Sequence, residues 1–317
     1  MIESACLILA LFYLMNYAQI AQLVEQRTEN PRVGGSIPPL GTTQMQVVKN
    51  INRNFENKTV VITGGSAGIG AATARHFHQK KANIAIIARH QDGLDQLKHE
   101  LGDERIFSIA MDVSDLTKHQ EALSSIFEKF GSIDILINNA GLHHRGDIQN
   151  LNPNVVADMV DVNLRAPIAL SCHVIPYLKQ SKSPSIVMVG SLAGRAPLQG
   201  AATYSATKAG LRAFAFALGD ELKHLNINVG IVSPGPVSTG FIMSNIDDVE
   251  DIVFSQPMST PDDVATMILK LTSFSGEICI PKSSGYLTTI SYLFPNLRRR
   301  LRPLFYKIGR KNKNLYR

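Results

Sequence analysis

A tyrosine and a lysine four residues apart, Tyr204 and Lys208, form the pair with the clearest chemistry in this sequence. On a helix, side chains at positions i and i+4 lie on one face, so the phenol and the ammonium would be neighbours. A phenol has a pKa near 10, and acid–base catalysis at neutral pH needs that value lowered by about two to three units, roughly 3 to 4 kcal/mol. We expect the charge of Lys208 to favour the phenolate and to help lower this pKa.

A glycine-rich stretch, T-G-G-S-A-G-I-G at residues 63–70, follows the apolar run at 60–62. Gly64, Gly68 and Gly70 allow a tight turn and a close approach of the backbone to a pyrophosphate, which the first amides of the next helix can bind. The spacing differs from the commonest dinucleotide fingerprint, and taken alone the stretch is also compatible with a plain strand-to-helix turn. Together with the tyrosine–lysine pair, it predicts hydride transfer with a dinucleotide cofactor.

The residue after the second apolar run indicates which dinucleotide is bound. The sequence reads Ala88-Arg89-His90 where an Asp or Glu would hold the ribose hydroxyls of NAD. An arginine there favours the 2′-phosphate, so NADP(H) is predicted over NAD(H), with a solvated surface charge as the alternative. Asp112 and Val113 follow the third run and would lie at the adenine edge.

Short β-branched runs alternate with segments of helical length from Thr59 onward, which predicts a parallel sheet with helices on both faces. Strands are predicted near 59–63, 83–88, 105–109, 134–138, 185–190, 227–233 and 277–280. Helices are predicted near 68–80, 92–101, 115–130, 153–180, 202–224 and 261–273. Ser114 and Thr260 are the expected N-caps of two of them.

Residues 59 to about 280 resemble a short-chain dehydrogenase/reductase. The matching elements occur in family order and are T-G-G-S-A-G-I-G, Asp112, the N-N-A-G segment at 138–141, Asn163, Ser191, Tyr204 to Lys208, and Pro234-Gly235. The resemblance implies an α/β fold with a single Rossmann-type doubly wound domain at 45–285 and a parallel sheet of about seven strands. It also implies a small-molecule carbonyl or alcohol substrate and assembly as a homodimer or homotetramer.

The resemblance implies a catalytic set of Asn163, Ser191, Tyr204 and Lys208. Ser191 would hydrogen-bond the reacting carbonyl oxygen, and Tyr204 would give its proton to that oxygen while hydride leaves the nicotinamide. Asn163 would hold a backbone carbonyl and a water in a proton relay through Lys208.

The cofactor is assigned a larger set of residues, of which Thr239 would hold the nicotinamide carboxamide. The set is Gly64, Ser66, Gly68, Ile69, Gly70, Arg89, Asp112, Val113, Asn139, Ala140, Gly141, Tyr204, Lys208, Pro234, Gly235, Val237 and Thr239.

Loop residues near the site include an apolar segment and three polar side chains. Between Pro234 and Pro261, apolar residues alternate with acidic ones; the apolar ones are Phe241, Ile242, Met243, Ile246, Val249, Ile252, Val253 and Phe254. In the family this segment is the substrate lid, so it either faces a substrate with hydrocarbon character or packs the lid down. His143, His144 and Arg195 could touch substrate, but solvated loop positions are the preferred interpretation.

Composition limits the function classes. The 317 residues, 44% hydrophobic, suffice for one large domain with terminal segments. The cysteines, Cys6, Cys172 and Cys279, are odd in number and have no metal-ligand spacing, so neither a disulfide framework nor a metal site is predicted. A reducing, cytoplasmic setting fits this pattern.

The formal net charge of +6 is concentrated in the C-terminal tail, because residues 298–317 contain nine Lys or Arg and no acid. Apolar and aromatic residues from Tyr286 onward are interleaved with these arginines, which is typical of a helix on an anionic membrane surface. Packing of the tail, 286–317, on its own domain or on a second subunit is the alternative. No nucleic-acid-binding module accompanies the charge, so no nucleic acid partner is predicted.

Residues 1–44 are expected to lie outside the domain. The apolar segment at 5–17 is shorter than the ~20 residues that a spanning helix needs, and no Lys or Arg precedes it as in a signal peptide. Residues 21–42 resemble the translation of a transfer-RNA gene, so Met45 is the expected start of translation. A weak membrane anchor or a disordered leader is the alternative.

The sequence therefore predicts an NADP(H)-dependent oxidoreductase that acts on a ketone or secondary alcohol, with an apolar, lipid-like 3-keto compound as the expected substrate. The alternative is a nucleotide-binding scaffold or redox sensor that keeps the fold without turnover. The expected location is cytoplasmic with peripheral membrane contact.

Overall fold

A seven-stranded, fully parallel sheet forms the centre of the fold. The computed structural model describes residues 54–244 and 246–316, so the predictions for residues 1–44 and for a start at Met45 lie outside the described residues. The strands are β1 (Thr59–Thr63), β2 (Asn83–Ala88), β3 (Ile106–Ala110), β4 (Ile135–Asn138), β5 (Ser185–Val189), β6 (Asn228–Pro234) and β7 (Gly276–Ile280). Their order is β3-β2-β1-β4-β5-β6-β7, which confirms the predicted doubly wound α/β fold.

Helices connect the strands and cover both faces of the sheet. They are α1 (Gly68–His78), α2 (Gln91–Leu101), α3 (His119–Phe130), α4 (Pro153–Val160), α5 (Ala166–Leu178), α6 (Ala202–Glu221), α7 (Gly240–Met243), α8 (Pro261–Leu271), α9 (Lys282–Leu293) and α10 (Pro295–Lys313). One apolar core lies between the sheet and α3, α5 and α6, and a second lies between the sheet and α1, α2 and α8. Parallel strands are buried on both faces, which explains their continuous apolar runs.

Two local predictions need correction. The helix predicted at 153–180 is interrupted by a π-helical turn at Asp161–Arg165, and such turns often mark functional positions. Ser114 does not cap a helix: its hydroxyl donates to Asp112, while Asp115 caps the short 3₁₀ turn that precedes α3. Thr260 does cap α8, in a reciprocal capping box with Asp263.

The tail predicted at 286–317 is helical and packs on the domain. The predicted boundary at 285 falls within α9, and α10 packs against the 3₁₀ helix Asp251–Ser255 of the lid segment. Within the described ranges, no helix combines the length and the apolar character needed to cross a membrane.

Candidate active site

The turn after β1 is held open by hydrogen bonds from the chain that follows β4. The side-chain amide of Asn139 donates to the carbonyl oxygens of Thr63 and Gly64, at 2.9 and 3.0 Å. The Thr63 hydroxyl accepts from the backbone N–H groups of Asn139 and Ala140. These hydrogen bonds occupy carbonyl oxygens of the turn. The first backbone amides of α1, which have no acceptor within the helix, can then bind a phosphate.

Glycine is required at two places in this turn for different reasons. Gly64 has a φ of +63°, and a Cβ there would lie 2.9 Å from the Cα of Ala140. A Cβ at Gly70 would lie 2.1 Å from the carbonyl oxygen of Gly64, so only glycine lets α1 start this close to the turn. Gly70 is therefore a packing position behind the loop and does not line the cleft.

Arg89 and Asp112 lie together at the β2–β3 end of the cleft. Arg89 is exposed at the end of β2. Burial opposes ionisation of Asp112, but two hydrogen bonds from Ser114 and the charge of Arg89 outweigh it, so the pKa of this carboxyl is lowered. The carboxylate is thus ionised at neutral pH with a cation beside it.

Tyr204 and Lys208 lie one turn apart on α6, as their spacing predicts. The Nζ of Lys208 is 5.8 Å from the centre of the Tyr204 ring and donates to the carbonyl oxygen of Val189 at 2.9 Å. Lys208 is only 4% exposed, and this burial lowers its pKa to about 8. The ammonium is therefore close to losing its proton at neutral to mildly alkaline pH.

The expected lowering of the Tyr204 pKa is not found in the protein alone. Burial raises the pKa of Tyr204, and the hydrogen bond from Ser191 and the charge of Arg145 oppose this rise without cancelling it. The physical reason is that the lysine shares the same buried environment, where each charged form is disfavoured. Arg145 was not singled out in the sequence, and no pattern there indicated that it would face Tyr204.

The depressed pKa of Lys208 predicts a pH-dependent stability. The unfolded chain keeps this proton up to the ordinary value of 10.5, whereas the folded protein releases it near 8. Raising the pH from 8 to 10.5 should therefore stabilise the folded state, by up to about 3 kcal/mol from this group. Denaturant unfolding of the wild type and of Lys208→Met over this range tests it. An equal pH dependence in the two proteins would contradict the assignment.

Asn163 lies in the π-helical turn and clamps the loop after β4. Its amide accepts from the N–H of Leu142 and donates to the carbonyl of the same residue, both at 2.8 Å. A Cβ at Gly141 would lie 3.3 Å from the Asn163 oxygen and 3.6 Å from the Nζ of Lys208. Asn163 is fully buried and does not line the cleft, so it positions the backbone beside Lys208.

One cleft of about 1400 Å³ brings the remaining predicted residues together. Ser191, half-buried at the end of β5, hydrogen-bonds Tyr204 within it. The other predicted residues that line it are Gly64, Ser66, Gly68, Ile69, Arg89, Asp112, Val113, Asn139, Ala140, Gly141, Tyr204, Lys208, Pro234, Gly235, Val237 and Thr239. Of the predicted set, only Gly70 and Asn163 lie behind it.

The prediction that His143 occupies a solvated loop is wrong. Its ring stacks on Tyr204, with 4.1 Å between centroids and 15° between planes. Burial, with the charges of Arg145, His144 and Lys208, lowers its pKa to about 3, so the imidazole is neutral at physiological pH. Its Nε2 is buried without a hydrogen-bond partner among the described residues. The sequence carries no signal for this, because the stacking depends on the path of the loop after β4.

Arg195 is also not in a solvated loop. Its guanidinium is paired with the buried Glu277 and donates to the hydroxyls of Thr288 and Thr289. Glu277 in turn accepts from Arg212 and Ser233. Arg195 does not line the cleft; it ties α9 to the turn that follows Ser191.

The apolar residues of the lid segment pack against one another and also along the cleft. Val249 and Phe254 are buried in a small apolar cluster and pack the lid down, while Ile242 belongs to this cluster and also lines the cleft. Phe241, Ile252 and Val253 line the cleft, together with Asp248 and Glu250. Apolar and acidic side chains of the lid therefore both contribute to the cleft wall.

The residues present fit a nicotinamide dinucleotide. The glycine turn leaves room that side chains would fill, since a Cβ at Gly68 would come within 3.2 Å of the Thr239 side chain. The volume of about 1400 Å³ exceeds the roughly 300–1,000 Å³ of most small-molecule pockets, which leaves space for a substrate beside the cofactor. The first amides of α1 and Asp112 supply donors and an acceptor along its length.

Comparisons with known proteins agree with this geometry. The short chain dehydrogenase family matches residues 58–250. "Dehydrogenase/reductase SDR family member 7B" of Danio rerio is 30% identical over 78% of this chain and 84% of that protein. The protein of the same name from Mus musculus is 30% identical over 61% of each chain. A crystal structure of 3-ketoacyl-(acyl-carrier-protein) reductase from Brucella melitensis, complexed with NADH, superposes with a TM-score of 0.66 at 27% identity and covers 71% of this chain and 97% of that one.

Proposed function

Since the chain belongs to the short chain dehydrogenase family, we propose that it is an NADP(H)-dependent reductase of ketones with an apolar chain, such as long-chain 3-keto compounds. The observation that carries the proposal is the convergence of Ser191, Tyr204 and Lys208 on the cleft that the glycine turn also lines. A nucleotide-binding scaffold has no need of a half-buried phenol held by a serine beside a buried lysine.

The reaction follows from what each side chain can do. A bound reduced nicotinamide supplies the hydride that adds to the carbonyl carbon. Ser191 and Tyr204 hydrogen-bond the carbonyl oxygen, and Tyr204 gives it a proton as charge develops there. Lys208, with a pKa of about 8, returns a proton to the phenolate. Asn163 keeps the Gly141–Leu142 backbone in place beside that lysine.

The preference for NADP(H) rests on Arg89. It lines the cleft beside Asp112, and no carboxylate follows β2 where NAD would require one. We expect tighter binding of NADPH than of NADH in fluorescence titrations. Arg89→Asp should weaken NADPH binding by about 10- to 100-fold, because a charge-assisted contact is lost. Lys129→Asp, an equal charge change at an exposed position on α3, is the control. Equal affinities for both cofactors in the wild type would contradict the preference.

The proposal of an apolar substrate is based on the side chains that line the lid side of the cleft. Phe241, Ile252, Val253 and Leu287 face it, and such a wall favours a hydrocarbon chain. Turnover should therefore rise with the chain length of a ketone series, measured as NADPH oxidation at fixed ketone concentration.

Assembly and location belong to the same proposal. Enzymes of this family are commonly oligomeric, and we expect a homodimer or homotetramer formed through the long helices, where Phe216 of α6 is exposed. We place the protein in the cytoplasm with peripheral contact to an anionic membrane. Tyr292 and Leu293 are 69% and 64% exposed, and Arg300, Lys307 and Lys311 point to solvent on α10.

A further inference from the structure

The basic helix α10 contributes arginines to the active-site cleft. Arg298 and Arg302 are four residues apart, so they lie on one face of the helix, and both line the cleft that holds Tyr204. Arg299 lines it beside them. This face continues to Gly309 and Lys313, which contact the lid, so the packing of α10 fixes where the arginines point.

These arginines lie on the side of the catalytic residues. α9 and α10 follow β7 at one edge of the sheet, whereas Arg89 and Asp112 follow β2 and β3 at the other. With strands about 4.8 Å apart, β7 is roughly 10 Å from β5, which leads to Ser191, and roughly 24 Å from β2. The arginines are therefore placed for the substrate and not for the adenosine phosphate.

In the described part of the chain, no carboxylate forms a direct ion pair with this cluster, although Asp248 and Glu250 line the same cleft. Within residues 54–244 and 246–316, Arg298 and Arg299 form no ion pair, and Arg302 donates to the hydroxyl of Tyr306. That hydroxyl donates in turn to Glu250, whose carboxylate forms no direct ion pair with these arginines in the described ranges. Half-buried guanidinium groups that lack a carboxylate partner favour an anion, which they can bind in a bidentate manner.

Apolar side chains from three segments contribute to the cleft wall, beside Asp248 and Glu250 of the lid. Phe241, Ile252, Leu287 and Phe305 line the cleft from the lid and from both C-terminal helices. A ligand that spans from the catalytic tyrosine to α10 would thus place its carbonyl at Tyr204, a hydrocarbon portion along this wall, and its negative charge at the arginines.

We propose that Arg298 and Arg302 form a head-group subsite, and that the substrate is an amphipathic ketone whose hydrocarbon portion ends in a carboxylate or phosphate monoester. This proposal rests on the proposed function and names its substrate class. The proposal gives Arg298 and Arg302 a role that the outward-facing Arg300, Lys307 and Lys311 do not share.

The experiment compares matched ketones that differ only in charge. The probes are methyl-ketone fatty acids of increasing chain length with their neutral methyl esters, and one keto-alkyl phosphate with its neutral alcohol. The readouts are kcat and KM from NADPH oxidation, and, independently of turnover, the affinity of each probe by calorimetric titration in the presence of NADP⁺, which cannot reduce the ketone. Arg298→Ala, Arg302→Ala and the double variant are tested against Arg300→Ala, a matched loss of charge outside the cleft.

We expect the anionic member of at least one pair to have the higher kcat/KM, through a lower KM that rises with salt concentration. The double variant should reduce this preference by about 10-fold or more, whereas Arg300→Ala should keep it. Melting temperatures show whether the variants are folded, and the salt dependence of the wild type tests the subsite without any substitution.

Two results would overturn the subsite. One is that the charged and the neutral member of every pair have equal kcat/KM and equal affinity. The other is unchanged preference in the double variant together with weaker binding to phosphatidylglycerol vesicles, which would assign the arginines to a membrane surface. Salt-sensitive binding of an anionic probe that is lost in the double variant, without reduction of any ketone, would support the subsite and contradict the proposed function.

Discussion

Tyr204→Phe is expected to lower kcat/KM for ketone reduction by about 10²- to 10⁴-fold, because the substitution removes the hydroxyl that donates the proton and hydrogen-bonds Ser191. The phenyl ring can still stack on His143 at the observed 4.1 Å, so the wall of the cleft is kept. NADPH affinity and melting temperature should stay close to those of the wild type. Single-turnover measurement of NADPH oxidation separates the loss of chemistry from any change in binding.

Tyr177→Phe is the matched control for this variant. Tyr177 lies on α5, and its hydroxyl hydrogen-bonds Ser124 at 3.2 Å, away from the cleft. It should keep full activity. Wild-type turnover in Tyr204→Phe would remove Tyr204 from the mechanism, and intact biological activity without turnover would favour the scaffold interpretation.

Gly309→Ala is expected to displace α10 from the lid. A Cβ at Gly309 would lie 1.8 Å from the carbonyl oxygen of Asp251, so helix and lid cannot keep their contact. The hydrogen bonds from Lys313 to the carbonyls of Asp247 and Val249 depend on that contact, as does the one from Asn312 to Phe254. We expect a loss of about 1–3 kcal/mol in unfolding free energy, measured by denaturant titration.

At another helical glycine, Gly219→Ala is expected to stabilise the protein instead of destabilising it. Its Cβ would have nothing nearer than 3.6 Å, so helix propensity should stabilise the protein by up to about 1 kcal/mol. If helix propensity alone governed both sites, Gly309→Ala would stabilise as well, and that result would contradict the tight docking of α10. Displacement of α10 should also raise KM for the ketone, because the lid and Arg302 move with it.

The fold could be predicted closely from the sequence because its signals are local. Apolar runs bounded by turn residues predict buried parallel strands, and the predicted β1 and β2 agree with the structure to the residue. The interruption at Asp161–Arg165 could not be predicted, since five residues are too few for a π-helical turn to show an apolar period of its own. The prediction that Ser114 is an N-cap was wrong because Asp115, one residue later, takes that role.

The parts of the candidate site that depend on residue types at a fixed spacing could be predicted from the sequence. The glycine turn and the Tyr204–Lys208 pair are of this kind, since one turn of α6 places both side chains on one face. Their pKa values were not predictable, because burial is a property of the assembled core. It lowers the pKa of Lys208 and raises that of Tyr204.

By itself, the sequence determined the sheet, the glycine turn and the identity of most polar groups that line the cleft. Only the tertiary structure placed His143 on the ring of Tyr204 and made Arg195 a link to Glu277. It also divided the basic tail, since Arg310 and Lys313 pair with Asp251 of the lid while Arg298 and Arg302 line the cleft. The sequence shows these cations as one block of charge, because which face of a helix is covered depends on what packs against it.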